Sequence, residues 1–335
     1  MEARRTRRPR PEESPVTDIA PPFPRATPAP GAPTPERVLN AATSMGPVTL
    51  RVGDLETMSG YYARAFALEP LAERSSGREV HRVLGRAGTP LLKLVHTPGL
   101  PGVDPRQPGL FHTAFLFEDA ASLAATVHRA LQEPGGHFAG AADHLVSEAF
   151  YFSDPEGNGV ELYTDRDRSL WQRRGGQILM TTDYLDPRAY LKRHLTQKAV
   201  DAASSLTGTV GHVHLQVGNL ATARDFYVDA LGFEATLTSY PGALFASAGG
   251  YHHHIAMNVW NSKGAGPRAA GLGLGDVAVR VPGPADLDAL RARLGLRQIP
   301  FADDGRSVVV NDPWGTQVTV ALPDPTVDEV LARAS

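Results

Sequence analysis

The chain has 335 residues, of which 42% are hydrophobic, and this is enough for two domains with buried cores. Its formal net charge of −3 gives no electrostatic reason to expect nucleic acid or a membrane as a partner, and no apolar run approaches the roughly 18 residues of a membrane span. The absence of cysteine excludes disulfides and thiolate metal sites, leaving His, Asp and Glu as metal ligands, and fits a cytoplasmic protein.

Residues 1–44 differ in composition from the rest of the chain. They hold ten prolines and almost no periodicity, and five arginines fall within residues 1–10. This composition predicts a disordered tail. An alternative interpretation is that translation starts at Met45.

The first folded segment alternates like a strand over residues 48–55 and then has a helical pattern over residues 58–66. The same pattern returns at residues 213–220 and 223–227. In both copies an Asp or Asn at the junction predicts a helix cap. Each copy is followed by three strand-like stretches separated by Gly or Pro.

Two weaker copies complete the repeat. One begins at Phe111 with a helix over 120–131, and the other begins at Val277 with a helix over 284–294. The turn Asp-Pro-x-Gly precedes the last strand of both. The chain therefore consists of four βαβββ modules, numbered one to four in chain order, at about residues 46–99, 109–166, 210–261 and 273–322.

A linker joins modules two and three. Within residues 171–206, the run that starts at Asp183 predicts a helix that continues through Lys198. The charged residues 166–168 before it are expected to be solvated. After the third module, residues 260–266 predict a loop that either lies over a pocket or simply connects two strands.

The modules resemble those of the vicinal oxygen chelate superfamily, which includes glyoxalases, fosfomycin resistance proteins and extradiol dioxygenases. The likeness covers residues 46–322 and is closest to two-domain catechol 2,3-dioxygenases. Four stretches carry it: Leu110-Phe111-His112, residues 152–163 (Phe-Ser-Asp-Pro-Glu-Gly-Asn-Gly-Val-Glu-Leu-Tyr), residues 211–215 (Gly-His-Val-His-Leu) and residues 249–255 (Gly-Gly-Tyr-His-His-His-Ile).

The resemblance implies an α+β fold, in which the four βαβββ modules form two glyoxalase-like domains with curved mixed sheets around a metal site. The implied boundaries are 1–44 for the disordered tail, 45–168 for the N-terminal domain, 169–208 for the linker with its helix, and 209–323 for the C-terminal domain. Paired modules in this superfamily often support dimers or tetramers, so a homo-oligomer is also expected.

The resemblance also implies metal ligands at the start of the first strand and in the fourth strand of a module. Module two has His112 and Glu161 in these positions, and module three has His212. Two histidines and one carboxylate are the ligand set of non-haem Fe(II) oxygenases, and they leave coordination positions open. Fe(II) is the expected cofactor, and Mn(II) accepts the same ligand types.

Modules one and four depart from the family pattern. Pro47 leaves the position in module one empty, and module four has Asp276 and Thr319, although the more familiar extradiol enzymes draw a glutamate from module four. One site is complete only if module two packs against module three and module one against module four. The metal prediction and the topology prediction therefore depend on each other.

Other side chains are candidates for catalysis through the same resemblance. Tyr151 lies ten residues before Glu161, and His144 lies in the turn region before it. His253 is the expected acid/base residue of module three, with His254 as the alternative and also as an alternative metal ligand.

The remaining histidines of module three are weaker candidates. We expect the three consecutive histidines to lie in a strand, where His252 and His254 face one side. Both are candidates for substrate binding, as is His214, which otherwise is a packing residue near the metal. An unpaired buried glutamate is costly, so a metal, an arginine or solvent must compensate Glu161.

The most specific prediction is an Fe(II)-dependent extradiol dioxygenase that opens a catechol with O2. A second reading is a glyoxalase-type or epoxide-opening metal enzyme, which four strong ligands would favour. A third is a non-catalytic binding protein of the bleomycin-sequestering type, which generally lacks the ligands found here. A catechol and O2 are thus the expected small-molecule partners.

Overall fold

The computed structural model of the chain describes residues 38–203, 207–323 and 326–332. Most of the predicted disordered tail, residues 1–37, lies outside the described residues. The predicted tail extends too far towards residue 44. Leu39 is buried, and its backbone N–H donates to the Gly232 carbonyl at 2.7 Å. Within the described residues, no helix is long and apolar enough to cross a membrane.

The first two modules each consist of one strand, one helix and three further strands. Module one contains β1 (Ser44–Val52), α1 (Leu55–Phe66), β2 (Glu69–Ser76), β3 (Glu79–Arg86) and β4 (Thr89–His96). Module two contains β5 (Gly109–Phe117), α2 (Ala120–Ala130), β6 (His137–Asp143), β7 (Ser147–Ser153) and β8 (Gly159–Asp165).

The linker forms short elements: a 3-10 turn (Arg168–Leu170), β9 (Arg173–Arg174), β10 (Gln177–Ile178), β11 (Asp183–Tyr184), α3 (Pro187–His194) and α4 (Gln197–Asp201). The predicted single helix through Lys198 was wrong, because the chain is extended at Leu195 and the Thr196 side chain caps a new helix. The predicted solvated charge run was also wrong at Arg166, which forms ion pairs with Asp143 and Glu148.

The last two modules repeat the plan. Module three contains β12 (Thr209–Gln216), α5 (Leu220–Ala223) continued by a π-helical stretch (Arg224–Ala230), β13 (Glu234–Leu237), β14 (Ala243–Ser247) and β15 (Ile255–Asn258). Module four contains β16 (Gly273–Arg280), α6 (Pro284–Leu296), β17 (Phe301–Asp303), β18 (Ser307–Asn311) and β19 (Gln317–Ala321), and α7 (Val327–Ala332) follows it.

The predicted helix caps are present. The Asp54 side chain accepts a hydrogen bond from the Thr57 N–H, and Asp119 and Asn219 cap the helices of modules two and three in the same way. A cap of this kind satisfies a backbone donor that the helix itself leaves unpaired. The cap residues therefore fix where each first strand ends and each helix begins.

The sheets pair the modules as the ligand pattern required. One sheet has the order β17-β18-β19-β16-β1-β4-β3-β2 and joins modules four and one. The other has the order β11-β6-β7-β8-β5-β12-β15-β14-β13 and joins modules two and three. The first strands of the paired modules run antiparallel at each seam. We call these the 1+4 sheet and the 2+3 sheet.

Two equivalent hydrogen bonds connect the sheets. The Tyr62 hydroxyl on α1 donates to Asp154 Oδ2 in the turn before β8, at 2.9 Å. The Tyr227 hydroxyl donates to Asp312 Oδ2 in the turn before β19, also at 2.9 Å. Both Asp-Pro-x-Gly turns are thus anchored by a helix of the preceding module, and one apolar core contains residues from all four modules.

Candidate metal centre

Three side chains converge at the seam of the 2+3 sheet. β5 lies between β8 and β12, and Ala114 on β5 is in register with both Glu161 and His212. His112 lies two residues before Ala114, so its side chain projects from the same face of the sheet. Strand pairing alone therefore brings the three predicted ligand residues together.

The donor atoms are spaced as ligands of one ion. The Nε2 atoms of His112 and His212 lie 2.9 Å and 3.1 Å from the same Glu161 oxygen, Oε2. Two donors at right angles, with bonds of about 2.0–2.2 Å, would be about 2.8–3.1 Å apart. His112 Nε2 lacks hydrogen-bond geometry despite its short distance to the carboxylate, which leaves it an orphaned buried atom.

The charges at the seam also suit a dication. Burial alone raises the pKa of Glu161, but interactions with the His212 and His112 side chains outweigh burial and hold that pKa well below its usual range. Burial lowers the pKa of His212 to about 4, so its imidazole is neutral at pH 7. A buried carboxylate beside a neutral imidazole needs a compensating charge, and a divalent metal ion provides one.

Gly211 on β12 leaves room for the side chain of Tyr163 on β8. Tyr163 packs its ring 4.8 Å from the ring of His212, and its hydroxyl lies 2.7 Å from that of Tyr251. A Cβ atom at Gly211 would lie 1.8 Å from the Tyr163 hydroxyl oxygen. The glycine before His212 is therefore a packing requirement of the seam.

Tyr151 and His144 form a hydrogen-bonded pair beside the seam. His144 Nδ1 lies 2.6 Å from the Thr181 carbonyl, which can only accept, so Nδ1 carries the proton. His144 Nε2 then accepts from the Tyr151 hydroxyl, also at 2.6 Å. Burial, followed by the Glu161 charge, raises the pKa of Tyr151 well above its usual value, and the phenol stays protonated.

The three consecutive histidines do not lie in a strand, and that prediction was wrong. Gly249 and Gly250 have φ values of 63° and 68°, which turn the chain away from β14, and β15 begins only at Ile255. All three side chains are nevertheless buried. The expected alternation of strand faces therefore does not decide which of them faces the site.

Asp165, His252 and His253 form a chain of hydrogen bonds next to His212. His252 Nε2 donates to Asp165 Oδ1 at 2.9 Å, so His252 Nδ1 is left to accept from His253 Nδ1 at 2.8 Å. This order leaves His253 Nε2 without a proton. The His253 ring lies 4.0 Å from the ring of His212, and donor atoms of His212, His252 and His253 also form a group that could hold a metal.

His253 and His214 line the cavity next to the seam, whereas His252 and His254 are absent from its lining. His254 Nδ1 accepts from the Ala248 N–H and lies outside both ligand groups in the described part of the chain. The geometry therefore does not support substrate binding by His252 or His254. It does not support the alternative role of His254 as a metal ligand either. His214 Nε2 lies 3.0 Å from the Asn258 amide.

The cavity has a volume of about 510 Å³ and opens beside His112, Glu161 and Tyr151. The linker contributes residues 180–182 to its wall, and the predicted loop contributes Trp260 and Asn261. The Thr182 and Tyr240 hydroxyls lie 2.8 Å apart, which joins the linker to module three across the cavity. No sequence pattern indicates this contact, because it depends on how the linker folds back.

The 1+4 sheet has different residues in the equivalent positions. Pro47, His112, His212 and Asp276 each lie seven residues before the first-helix cap of their module. The residues equivalent to Glu161 follow from strand register: they are Lys93 in module one, Ala256 in module three and Thr319 in module four.

Lys93 is a buried residue at the 1+4 seam that was not predicted from the sequence. It is 1% exposed, and both Lys93 and Asp276 are in register with Thr49, so the two side chains project from one face. The Thr319 hydroxyl donates to Asp276 Oδ1 at 2.7 Å. A lysine flanked by Leu92 and Leu94 in a strand was the available signal.

The family model for the glyoxalase/bleomycin resistance protein/dioxygenase superfamily matches residues 44–162 and 209–320. A catechol-2,3-dioxygenase of Bacillus subtilis strain 168 is 34% identical over 286 residues, which cover 84% of this chain and 98% of that protein.

Solved structures support the fold. Glyoxalase I of Zea mays aligns with a TM-score of 0.50 and 17% identity over 84% of this chain and 92% of that one. A protein of Bacillus subtilis subsp. subtilis strain 168, provisionally described as a dioxygenase, aligns with a TM-score of 0.55 and 15% identity over 85% and 88% of the two chains.

Proposed function

Since the chain belongs to the glyoxalase/bleomycin resistance protein/dioxygenase superfamily, we propose that it is an extradiol dioxygenase that uses Fe(II) and O2 to open a catechol ring. The main support is that His112, Glu161 and His212 lie together on one face of the 2+3 sheet, beside a cavity. The 34% identity to a catechol-2,3-dioxygenase supports the choice of reaction.

The ligand number favours a dioxygenase over a glyoxalase-type enzyme. The latter reading requires a fourth strong ligand, and Ala256 occupies the position on β15 equivalent to Glu161. A ferrous ion held by three protein ligands keeps open positions for two vicinal oxygens and for O2. The reaction adds both oxygen atoms to the ring carbons as one carbon–carbon bond breaks, so it needs no external reductant.

Tyr151 and His253 are the groups proposed to bind the catechol hydroxyls and to transfer their protons. Because the Tyr151 hydroxyl donates to His144, its oxygen lone pairs can accept a hydrogen bond from a catechol hydroxyl. The unprotonated Nε2 of His253 is the proposed base for a catechol proton, which it later returns. The apolar and aromatic wall excludes water from the reacting ring.

The activity test uses the full chain, reconstituted with Fe(II) without oxygen and then given catechol and air. We expect a yellow ring-cleavage product and consumption of one O2 for each catechol opened. Reconstitution with Mn(II) in parallel identifies the metal that supports turnover. Isomerase activity on a thiol hemiacetal, without a ring-cleavage product, would replace this proposal with the glyoxalase-type function.

A His253→Ala variant tests the assigned base. Loss of a general base costs typically 100-fold to 10,000-fold in rate, so turnover should fall by that factor while bound iron stays at the wild-type level. Tyr151→Phe serves as a comparison that keeps the ring but removes the hydroxyl. An equal loss of iron and turnover in His253→Ala would make His253 a metal ligand.

A further inference from the structure

We propose that the substrate is an uncharged catechol with an apolar substituent, and that catechols with a carboxylate are rejected. This inference rests on the proposed dioxygenase function and specifies the substrate of the same site. It is carried by the charge, the size and the aromatic wall of the cavity beside His112 and Glu161.

In the part of the chain that the structure describes, the side chains around the cavity include no Lys or Arg that could pair with a substrate carboxylate. Glu161 is the one carboxylate among the described residues that line it. An ionised substituent would lose its hydration without gaining a charged partner, which is costly in an apolar site.

A neighbouring cavity does contain a cation. It has a volume of about 320 Å³, shares Val103, Leu110 and Gln216 with the first, and is lined by Arg268. The Arg268 guanidinium donates to the Leu274 carbonyl at 2.5 Å, and Arg268 is partly buried. Because its guanidinium is hydrogen-bonded to the Leu274 carbonyl and Arg268 lines only the second cavity, we do not assign Arg268 to the substrate.

The cavity is also larger than an unsubstituted ring requires. Its volume of about 510 Å³ lies within the range of about 300–1,000 Å³ that is typical for ligands of drug size. Catechol has only eight non-hydrogen atoms. The remaining space must be filled by a substituent or by water, and the mainly apolar lining favours a substituent.

A continuous row of rings leads from the metal ligands towards the surface. His214 lies 4.9 Å from the His112 ring, Phe111 lies 5.0 Å from His214, and Trp260 lies 5.3 Å from Phe111. Trp260 is 45% exposed and so marks the rim. A planar or alkyl substituent that follows this row would bury apolar surface along its whole length.

The test measures equilibrium binding to the metal-loaded full chain without oxygen, by calorimetry. The probes are catechol, 3-phenylcatechol, 4-ethylcatechol and 3,4-dihydroxybenzoate. Burial of a phenyl group should make 3-phenylcatechol bind about 10-fold to 100-fold more tightly than catechol. 3,4-Dihydroxybenzoate should bind at least 10-fold more weakly than catechol.

Two variants locate the substituent. Trp260→Ala should remove most of the gain of 3-phenylcatechol and leave the Kd of catechol within about twofold. Phe301→Ala is the matched control, because Phe301 is a partly exposed aromatic residue on β17 in the 1+4 sheet. It should change neither affinity.

The outcomes separate this inference from the proposed function. Tighter binding of 3,4-dihydroxybenzoate, or no gain from any apolar substituent, overturns the substrate class while catechol cleavage stands. If tight carboxylate binding is lost in Arg268→Gln, the second cavity holds the carboxylate. If none of the catechols binds or is cleaved, both the proposed function and this inference fail.

Discussion

The 2+3 sheet and the 1+4 sheet share one plan, with antiparallel first strands at the seam and a fourth strand parallel to each of them. They differ in the side chains at equivalent seam positions. The 2+3 sheet has His112, Glu161 and His212 there, whereas the 1+4 sheet has Lys93 and Asp276.

The difference shows that the scaffold and the metal site are separable. The 2+3 seam buries the Glu161 carboxylate beside the neutral imidazole of His212, and this carboxylate needs a compensating charge. The 1+4 seam buries a lysine and an aspartate, so its opposite charges are both supplied by the protein. We therefore expect the 2+3 seam to need a metal ion for charge balance and the 1+4 seam to need none.

Removal of the metal should produce the largest change in stability. Chelation of the reconstituted protein should lower its free energy of unfolding by about 4 kcal/mol, relative to protein with metal at 1,000 times its Kd. The melting temperature with and without chelator measures this. The Glu161→Gln variant is the control, because its melting temperature should not respond to added metal.

The Lys93→Met variant should have the next largest effect. It leaves the Asp276 carboxylate buried beside Thr319 without the lysine charge, which should cost about 3 kcal/mol in denaturant unfolding. Bound metal should stay at the wild-type level. Lys192→Met, at an exposed position, should change stability by less than about 0.5 kcal/mol. Loss of metal in Lys93→Met would contradict the separation of the two sheets.

The two connecting tyrosines should respond alike. Tyr62→Phe and Tyr227→Phe each remove a buried hydrogen bond to a carboxylate, which should cost about 1.5–3 kcal/mol per site. Because the two bonds are equivalent in length and place, the two values should agree within about 0.5 kcal/mol. A much larger loss in one variant would mean that the repeat is not symmetric outside the seam.

The hydrogen-bonded chain from Asp165 through His252 to His253 lies beside the 2+3 sheet, and its disruption should have a smaller effect. Mutation of a residue that is hydrogen-bonded to a metal ligand typically lowers metal affinity 10-fold to 100-fold. Because the chain reaches His212 only through the ring contact of His253, at 4.0 Å between ring centres, we expect at most about a 10-fold higher metal Kd for Asp165→Asn, or about 1.4 kcal/mol. Competition with a fluorescent chelator measures it, and Asp183→Asn is an exposed control.

The sequence predicted the modules and their pairing for a specific physical reason. Strand alternation, helix caps and the Asp-Pro-x-Gly turns are local signals of the modules. The pairing followed from the ligand positions that the family resemblance implies, because only one pairing brings the ligands of modules two and three together. The predicted caps and pairing are present. The roles of the individual site residues stay predictions until the variants are measured.

Other features depend on distant contacts and were beyond the sequence. Positive φ angles at Gly249 and Gly250 move the three histidines out of the strand, and this conformation was not visible in their strand-like composition. The burial of Lys93 follows from its register with Thr49 and Asp276 across two neighbouring strands. The wall formed by Thr182 and Tyr240 requires the linker to fold back.

The most direct test is the metal content of the purified full chain and of two matched variants after Fe(II) loading without oxygen and desalting. We predict one ion per chain in the wild type, nearly none in Glu161→Gln, and one in Asp276→Asn, which makes the same change in the 1+4 sheet. Full metal content in Glu161→Gln, or its loss in Asp276→Asn alone, would contradict a single metal site between modules two and three.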